Sequence, residues 1–166
     1  MTSRAVLLTA FVLISVVVSA QTTTSPIDGV WKIAEVVTTG ANAATVTSPQ
    51  PGLLIFARGH YSWVSVGGTT PRQQSAAPKD PDKLTDAEKV ARYDEWNPLT
   101  ANSGTFATKG STLTRQVQVA KNVSVMNAKT PQVHEFKIDG NTLLLIQKSA
   151  AGQPASETRT KLTRVQ

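Results

Sequence analysis

Short stretches of alternating apolar and polar residues, punctuated by glycine, recur along most of this chain. Residues 31–39 are rich in Val, Ile and Thr, side chains that suit a half-buried pleated strand. Residues 53–57 and 60–66 flank Arg58-Gly59 and predict a hairpin, with Gly59 supplying the positive φ of a tight turn. That turn pairs Phe56 with Tyr61 and Leu54 with Trp63 on one face, leaving Ile55, Val64 and His60 on the other. The aromatic face is expected inside, because large rings gain most from burial. His60 is then expected outside.

The strand pattern resumes at 104–108, turns at Lys109-Gly110 and continues over 112–120. Residues 121–130 show no clear periodicity. Residues 133–138 and 142–148 form the clearest hairpin, with its turn at Asp139-Gly140, and 157–165 is the last strand. Between 67 and 102 the alternation fails. A capping-box signature, Thr85-Asp86-Ala87-Glu88, opens a predicted helix over about 85–96, which Asn97-Pro98 ends. Its apolar side holds Ala87, Val90, Tyr93 and Trp96. An insertion of this length inside a compact β domain suits a lid or a binding element. Sequential strands leave no open edge if they close on themselves. The expected fold is therefore mainly β: a single antiparallel up-and-down β-barrel of about eight strands with one inserted helix.

The N-terminus follows another rule. Arg4 precedes an uncharged apolar run over 5–18, and Val18-Ser19-Ala20 supplies the small residues that signal peptidase accommodates. Fourteen residues rise roughly 21 Å as a helix, short of a hydrocarbon core of about 30 Å. Residues 1–20 thus read as a signal peptide cleaved after Ala20, with no stable membrane insertion afterwards and a periplasmic or extracellular destination. Residues 21–28 are expected to be a flexible mature N-terminus, and 29–166 the barrel domain. The chain has no cysteine, which excludes disulfides, thiolate metal sites and cysteine nucleophiles. An exported protein without disulfides suits a bacterial source.

Charge and motifs narrow the chemistry. The chain carries 17 Lys and Arg against 11 Asp and Glu, but the basic residues are scattered without aromatic interleaving. That is unlike a nucleic-acid footprint, so no nucleic-acid partner is expected. No His-x-His, His-Glu-x-x-His, Gly-x-Ser-x-Gly or phosphate-loop pattern is present, and no metal, cofactor or catalytic triad is expected. Three polar residues do fall on apolar faces. Arg115 alternates with Leu113, Val117 and Val119; His134 with Phe136 and Ile138; Glu35 with Trp31, Ile33 and Val37. Two readings stay open: a satisfied network or rim, or a cluster facing a ligand.

Gly29-Val30-Trp31 at the first strand resembles the Gly-x-Trp that opens lipocalin barrels. The run from Pro51 to Phe56 into Gly59-His60-Tyr61-Ser62, then Ser103-Gly104-Thr105-Phe106 and Phe136 to Leu145, resembles the bacterial lipocalin-like domain, a member of the calycin superfamily, in order and spacing. The resemblance spans nearly all of the chain after residue 20. Two positions depart from it: Arg115-Gln116-Val117 stands where a histidine is common, and His134 where an arginine is. The resemblance implies a barrel whose base is closed by Trp31 and the inward Arg164, with Gly29 beside them.

Three functional expectations follow. The first is binding of a small apolar or amphipathic molecule, in one version anionic, inside the barrel. Phe56, Tyr61 and Trp63 would line the apolar part, Arg115, His134 and Glu35 the polar part, and Tyr93 and Trp96 would cover the mouth. The second is an isomerase, cyclase or hydratase using His134 with Glu35 or Arg115. The third is a ligand-free scaffold.

Overall fold

A computed structural model describes residues 24–40 and 42–165; the expected signal peptide lies outside the described residues. The strands are β1 (Gly29–Gly40), β2 (Ala44–Val46), β3 (Gly52–Ala57), β4 (His60–Val66), β5 (Leu99–Lys109), β6 (Thr112–Ala120), β7 (Gln132–Asp139), β8 (Thr142–Lys148) and β9 (Ser156–Val165). Two helices interrupt them, α1 (Asp86–Trp96) and α2 (Val123–Met126). Strands β3 to β9 pair antiparallel in sequence, and β1 joins β3 on one edge to β9 on the other. Eight strands thus close into the expected up-and-down barrel. The ninth, β2, takes the edge of β1 beyond β3, pairing Val36 with Val46.

Tight turns gather at one end. Arg58 and Gly59 both have positive φ (49° and 77°), as a type I′ hairpin demands. The other two turns fall one residue later than expected, at Gly110-Ser111 and Gly140-Asn141, so glycine takes the first central position. The long connections, including the insertion that carries α1, all lie at the opposite end and frame the mouth.

The base is sealed by the segment before β1. Residues 24–28, expected to be flexible, include a turn in which Asp28 N–H donates to the Ser25 carbonyl. This turn drives Ile27 into the core, where it is fully buried. The Trp31 indole donates to the Ile27 carbonyl at 2.8 Å, and Arg164 lies 4.1 Å from the indole ring centroid while donating to the Asp28 carbonyl. A Cβ on Gly29, whose φ is +140°, would collide with the Arg164 guanidinium. Above this knot Leu54, Phe56, Phe106, Leu113, Phe136, Leu143, Leu145 and Leu162 fill the lower barrel, with Phe56 and Phe106 edge to face at 5.0 Å.

Two bulges change which residues face inward. On β1 the register slips between Ile33, opposite Leu162, and Glu35, opposite Lys161. An extra residue reverses the alternation beyond it, so Val36 packs on the core and Glu35 and Val37 turn outward. On β6 a slip opposite Ser103 and Gly104 turns Val119 outward, 56% exposed, against the expectation from simple parity. Gly104 permits this second bulge, because a Cβ there would overlap the backbone of Gln116 and Gln118. β5 also begins earlier than expected, at Leu99, since pairing with β4 continues to Val66. The segment 121–130 holds the short helix α2.

Two substitutions test this framework. Trp31→Ala should destabilise the barrel by about 3–5 kcal/mol in denaturant unfolding. Gly104→Ala should lower stability by more than about 2 kcal/mol, since the obstacle is backbone that cannot rotate away.

Candidate functional site

Burial along the inward faces falls from base to mouth. On β8, Leu143 and Leu145 are buried while Gln147, in phase with them, is exposed; on β9, Leu162 and Thr160 are buried and Thr158 only half so. Chemistry changes in the same direction. The upper interior is lined by Thr38, Ser65, Asn102, Gln132, Gln147 and Thr158, with Trp63 the one aromatic among them. An interior apolar below and polar above offers a binding region only in its upper half.

Arg115 and His134 sit where the two halves meet, each 3% exposed. β6 and β7 place them through adjacent rungs, Leu113 opposite His134 and Arg115 opposite Gln132. The Arg115 guanidinium lies 5.0 Å from the Tyr61 ring centroid and 4.7 Å from that of Trp63. Its Nη2 donates to Gln132 Oε1 at 2.9 Å and approaches His134 Nε2 at 3.3 Å. Tyr61 in turn donates its hydroxyl to Asn102 Oδ1 at 3.0 Å. Trp63 is fixed by its indole N–H to Ser65 Oγ.

A donor facing His134 Nε2 requires that nitrogen to accept, which puts the imidazole proton on Nδ1. Within this cluster three buried nitrogens then lack a partner at hydrogen-bond geometry, Arg115 Nε, Arg115 Nη1 and His134 Nδ1, although the Gln147 side chain is near the imidazole. All three are donors. No inward position of the strands carries a carboxylate, and no ion pair among the described residues involves Arg115. Burial draws the Arg115 pKa down to about 10, opposed by Tyr61, so the group stays charged at neutral pH. Burial, then the Arg115 charge, hold His134 at about 4, partly offset by Gln147, so the imidazole is neutral. Burial also raises the Tyr61 phenol, with Arg115 opposing. The cluster is a fixed positive charge ringed by hydrogen-bond donors, and it suits an acceptor that carries negative charge.

Of the residues singled out from sequence, Tyr61, Trp63, Arg115 and His134 come together. Phe56 belongs to the packed core beneath them. Glu35 is not part of the cluster. The β1 bulge puts it on the outer wall opposite Lys161, so the acid–base pair with His134 is not formed. Tyr93 and Trp96 do not cover the mouth: they are 64% and 55% exposed, and α1 buries no residue. The insertion is held at its root instead, where the Lys121 ammonium donates to the carbonyls of Trp96, Asn97 and Leu99. Gly29, Trp31 and Arg164 lie together at the base. Sequence reasoning missed Gln132 and Asn102. Gln132 is in phase with His134 and Phe136, a signal that could have revealed it.

The mouth end of the barrel also carries a cavity. It measures about 300 Å³ and opens at the rim between β5, β6 and α2, lined by Thr100, Asn102, Ala120, Lys121, Asn122 and Val125 among others. Asn102 links its wall to Tyr61.

No protein-family model matches the chain, and no curated protein matches it. Among solved structures it is similar to a lipocalin-like protein from Bacteroides uniformis ATCC 8492, with a TM-score of 0.43 and 12% identity over 83% of this chain and 97% of that one. It is similar also to an uncharacterized protein from Bacteroides eggerthii DSM 20697, with a TM-score of 0.43 and 8% identity over 83% and 98% of the two chains.

The depressed His134 pKa makes stability depend on pH. In the unfolded chain histidine titrates near 6.5, so on acidification that state takes up the proton first. The contribution is fully present above about pH 6.5 and is lost as pH falls towards 4, to a limit of about 3 kcal/mol. Urea unfolding at a series of pH values should show this decline. His134→Gln should flatten it relative to the parent protein.

Proposed function

We propose that this protein is an exported small-molecule binder whose ligand lodges in the upper barrel and presents an oxyanion to Arg115. One observation carries the reading: a buried guanidinium with no carboxylate facing it, two of whose own nitrogens have no partner. Desolvating a charge without an opposite charge costs several kcal/mol, an expense a folded protein normally avoids. A carboxylate, sulfonate or phosphate would accept along an edge of the Arg115 guanidinium, pairing Nη2 with one of the unpartnered nitrogens Nε and Nη1. Tyr61 and Trp63 supply apolar surface next to that anion, which makes an amphipathic ligand suitable. Arg4, the apolar run over 5–18 and Val18-Ser19-Ala20 support delivery across a membrane, with a mature chain that begins at Gln21.

An isomerase-, cyclase- or hydratase-type chemistry has less behind it. His134 is neutral and near Arg115, but the carboxylate that would complete an acid–base pair stands outside the barrel wall.

Arg115→Met separates binding from folding. It removes the buried charge while keeping most of the side-chain volume, so stability should hold or rise. Calorimetric titration with small organic carboxylates should show binding to the parent protein and its loss in Arg115→Met. If the variant unfolds while a structural role for Arg115 explains the loss, or if binding persists unchanged, the anchor assignment is wrong. Intact mass measurement of protein recovered from the exported fraction should give the mass of residues 21–166.

A further inference from the structure

The geometry points to Gln132 as a placeholder: we infer that the oxyanion of a compact, polar ligand displaces the Gln132 carboxamide from Arg115 and binds head-first, leaving the rest of the ligand towards the mouth of the barrel. This rests on the reading of Arg115 as the anion anchor.

Four observations carry it. Arg115 and His134 are almost completely enclosed, so a ligand oxygen reaches them only where a side chain can yield. Gln132 is the half-buried member of the cluster whose neutral amide oxygen holds Arg115 Nη2, a bond that a charged oxygen would replace with a stronger one. It is also the first residue of β7 and the last rung of the β6–β7 ladder, which pairs only Thr112 to Arg115 although β6 runs on to Ala120. Beyond that rung the two strands part, and α2 packs along the freed length of β6. The side chain best placed to swing aside is thus at the point where the wall divides.

Size and polarity follow from what surrounds the anchor. Below it Leu54, Phe56, Leu113, Phe136, Leu145 and Leu162 are packed into one core, so among the described residues the anchor rests on side chains that an acyl chain would have to displace. Above it the inward positions are polar, with Thr38, Ser65, Asn102, Gln147 and Thr158 in place of the leucines and phenylalanines below. A short carboxylate or phosphate ester suits these surroundings. A long-chain fatty acid does not.

The experiment is calorimetric titration at pH 7.5 of the chain from residue 21 with benzoate, inorganic phosphate and oleate, repeated on Gln132→Ala and Gln132→Glu. Circular dichroism confirms that each variant is folded, and Gln132→Ser replaces either one that is not. Benzoate or phosphate should bind the parent protein, and which of the two does so separates a carboxylate from a phosphate ligand. Gln132→Ala removes the competitor and should tighten that binding severalfold. Gln132→Glu places a carboxylate on Arg115 permanently; it should weaken binding at least tenfold and raise the Tm. Weaker binding in Gln132→Ala, or unaltered binding in Gln132→Glu, would overturn the displacement while leaving Arg115 as anchor. Oleate binding more tightly than benzoate would overturn the compact ligand. Failure of every anion to bind the parent protein would remove the anchor and the displacement together.

Discussion

Everything above the base of this barrel depends on how the base is closed. The Trp31 indole, the Arg164 guanidinium and Ile27 lock into one another through two backbone carbonyls, and the lower core condenses on that platform. A stacked, partly desolvated cation–π pair contributes about 2 kcal/mol, modest beside the apolar area it allows its neighbours to bury. Its main effect is geometric. With the lower half filled, the chain has interior space only towards the mouth, and any polar group placed deep must sit against the upper surface of that core.

Arg115 occupies this boundary. It resembles Arg164 in being an inward arginine near aromatic rings, yet the two are satisfied differently. Arg164 reaches a backbone carbonyl that the fold always provides. Arg115 relies on the side chain of Gln132 and on an imidazole whose free nitrogen must then donate. The first arrangement leaves no buried nitrogen without a partner. In the second, every remaining polar atom calls for an acceptor, and the polar lining nearer the mouth gives a hydrophilic molecule a path towards it. The low proton affinity of His134 belongs to the same logic, because a second positive charge beside Arg115 would be buried with it.

Much of the fold was legible because strand alternation and turn chemistry are local. Phe56 opposite Tyr61, Leu54 opposite Trp63, and Thr85 with Glu88 at the start of α1 all follow from residues a few positions apart. The errors came from two places where one extra residue shifts the phase. Nothing in Ile33-Ala34-Glu35 marks a bulge, and the slip there removes Glu35 from the interior. Gly104 does carry a mark of the second bulge, but a glycine in a strand has several explanations until its partner strand is known. The placement of α1 was illegible for a different reason. An amphipathic pattern shows which side of a helix is apolar, not what lies against it, and Val90, Tyr93 and Trp96 remain exposed.

The short β6–β7 ladder has a mechanical meaning as well. A closed barrel without disulfides resists opening through the hydrogen bonds of its seams, and those seams are unequal. β1 and β9 are paired over nearly their full lengths, whereas β6 and β7 share four residue pairs. The β1–β3 ladder is equally short, but it lies at the sealed base, so the β6–β7 wall is the one that can part locally while the base stays shut. The molecule is hinged like a clasp, rigid along one side and loose along another. Exchange between its interior and the surrounding water is then a property of one edge rather than of the whole fold.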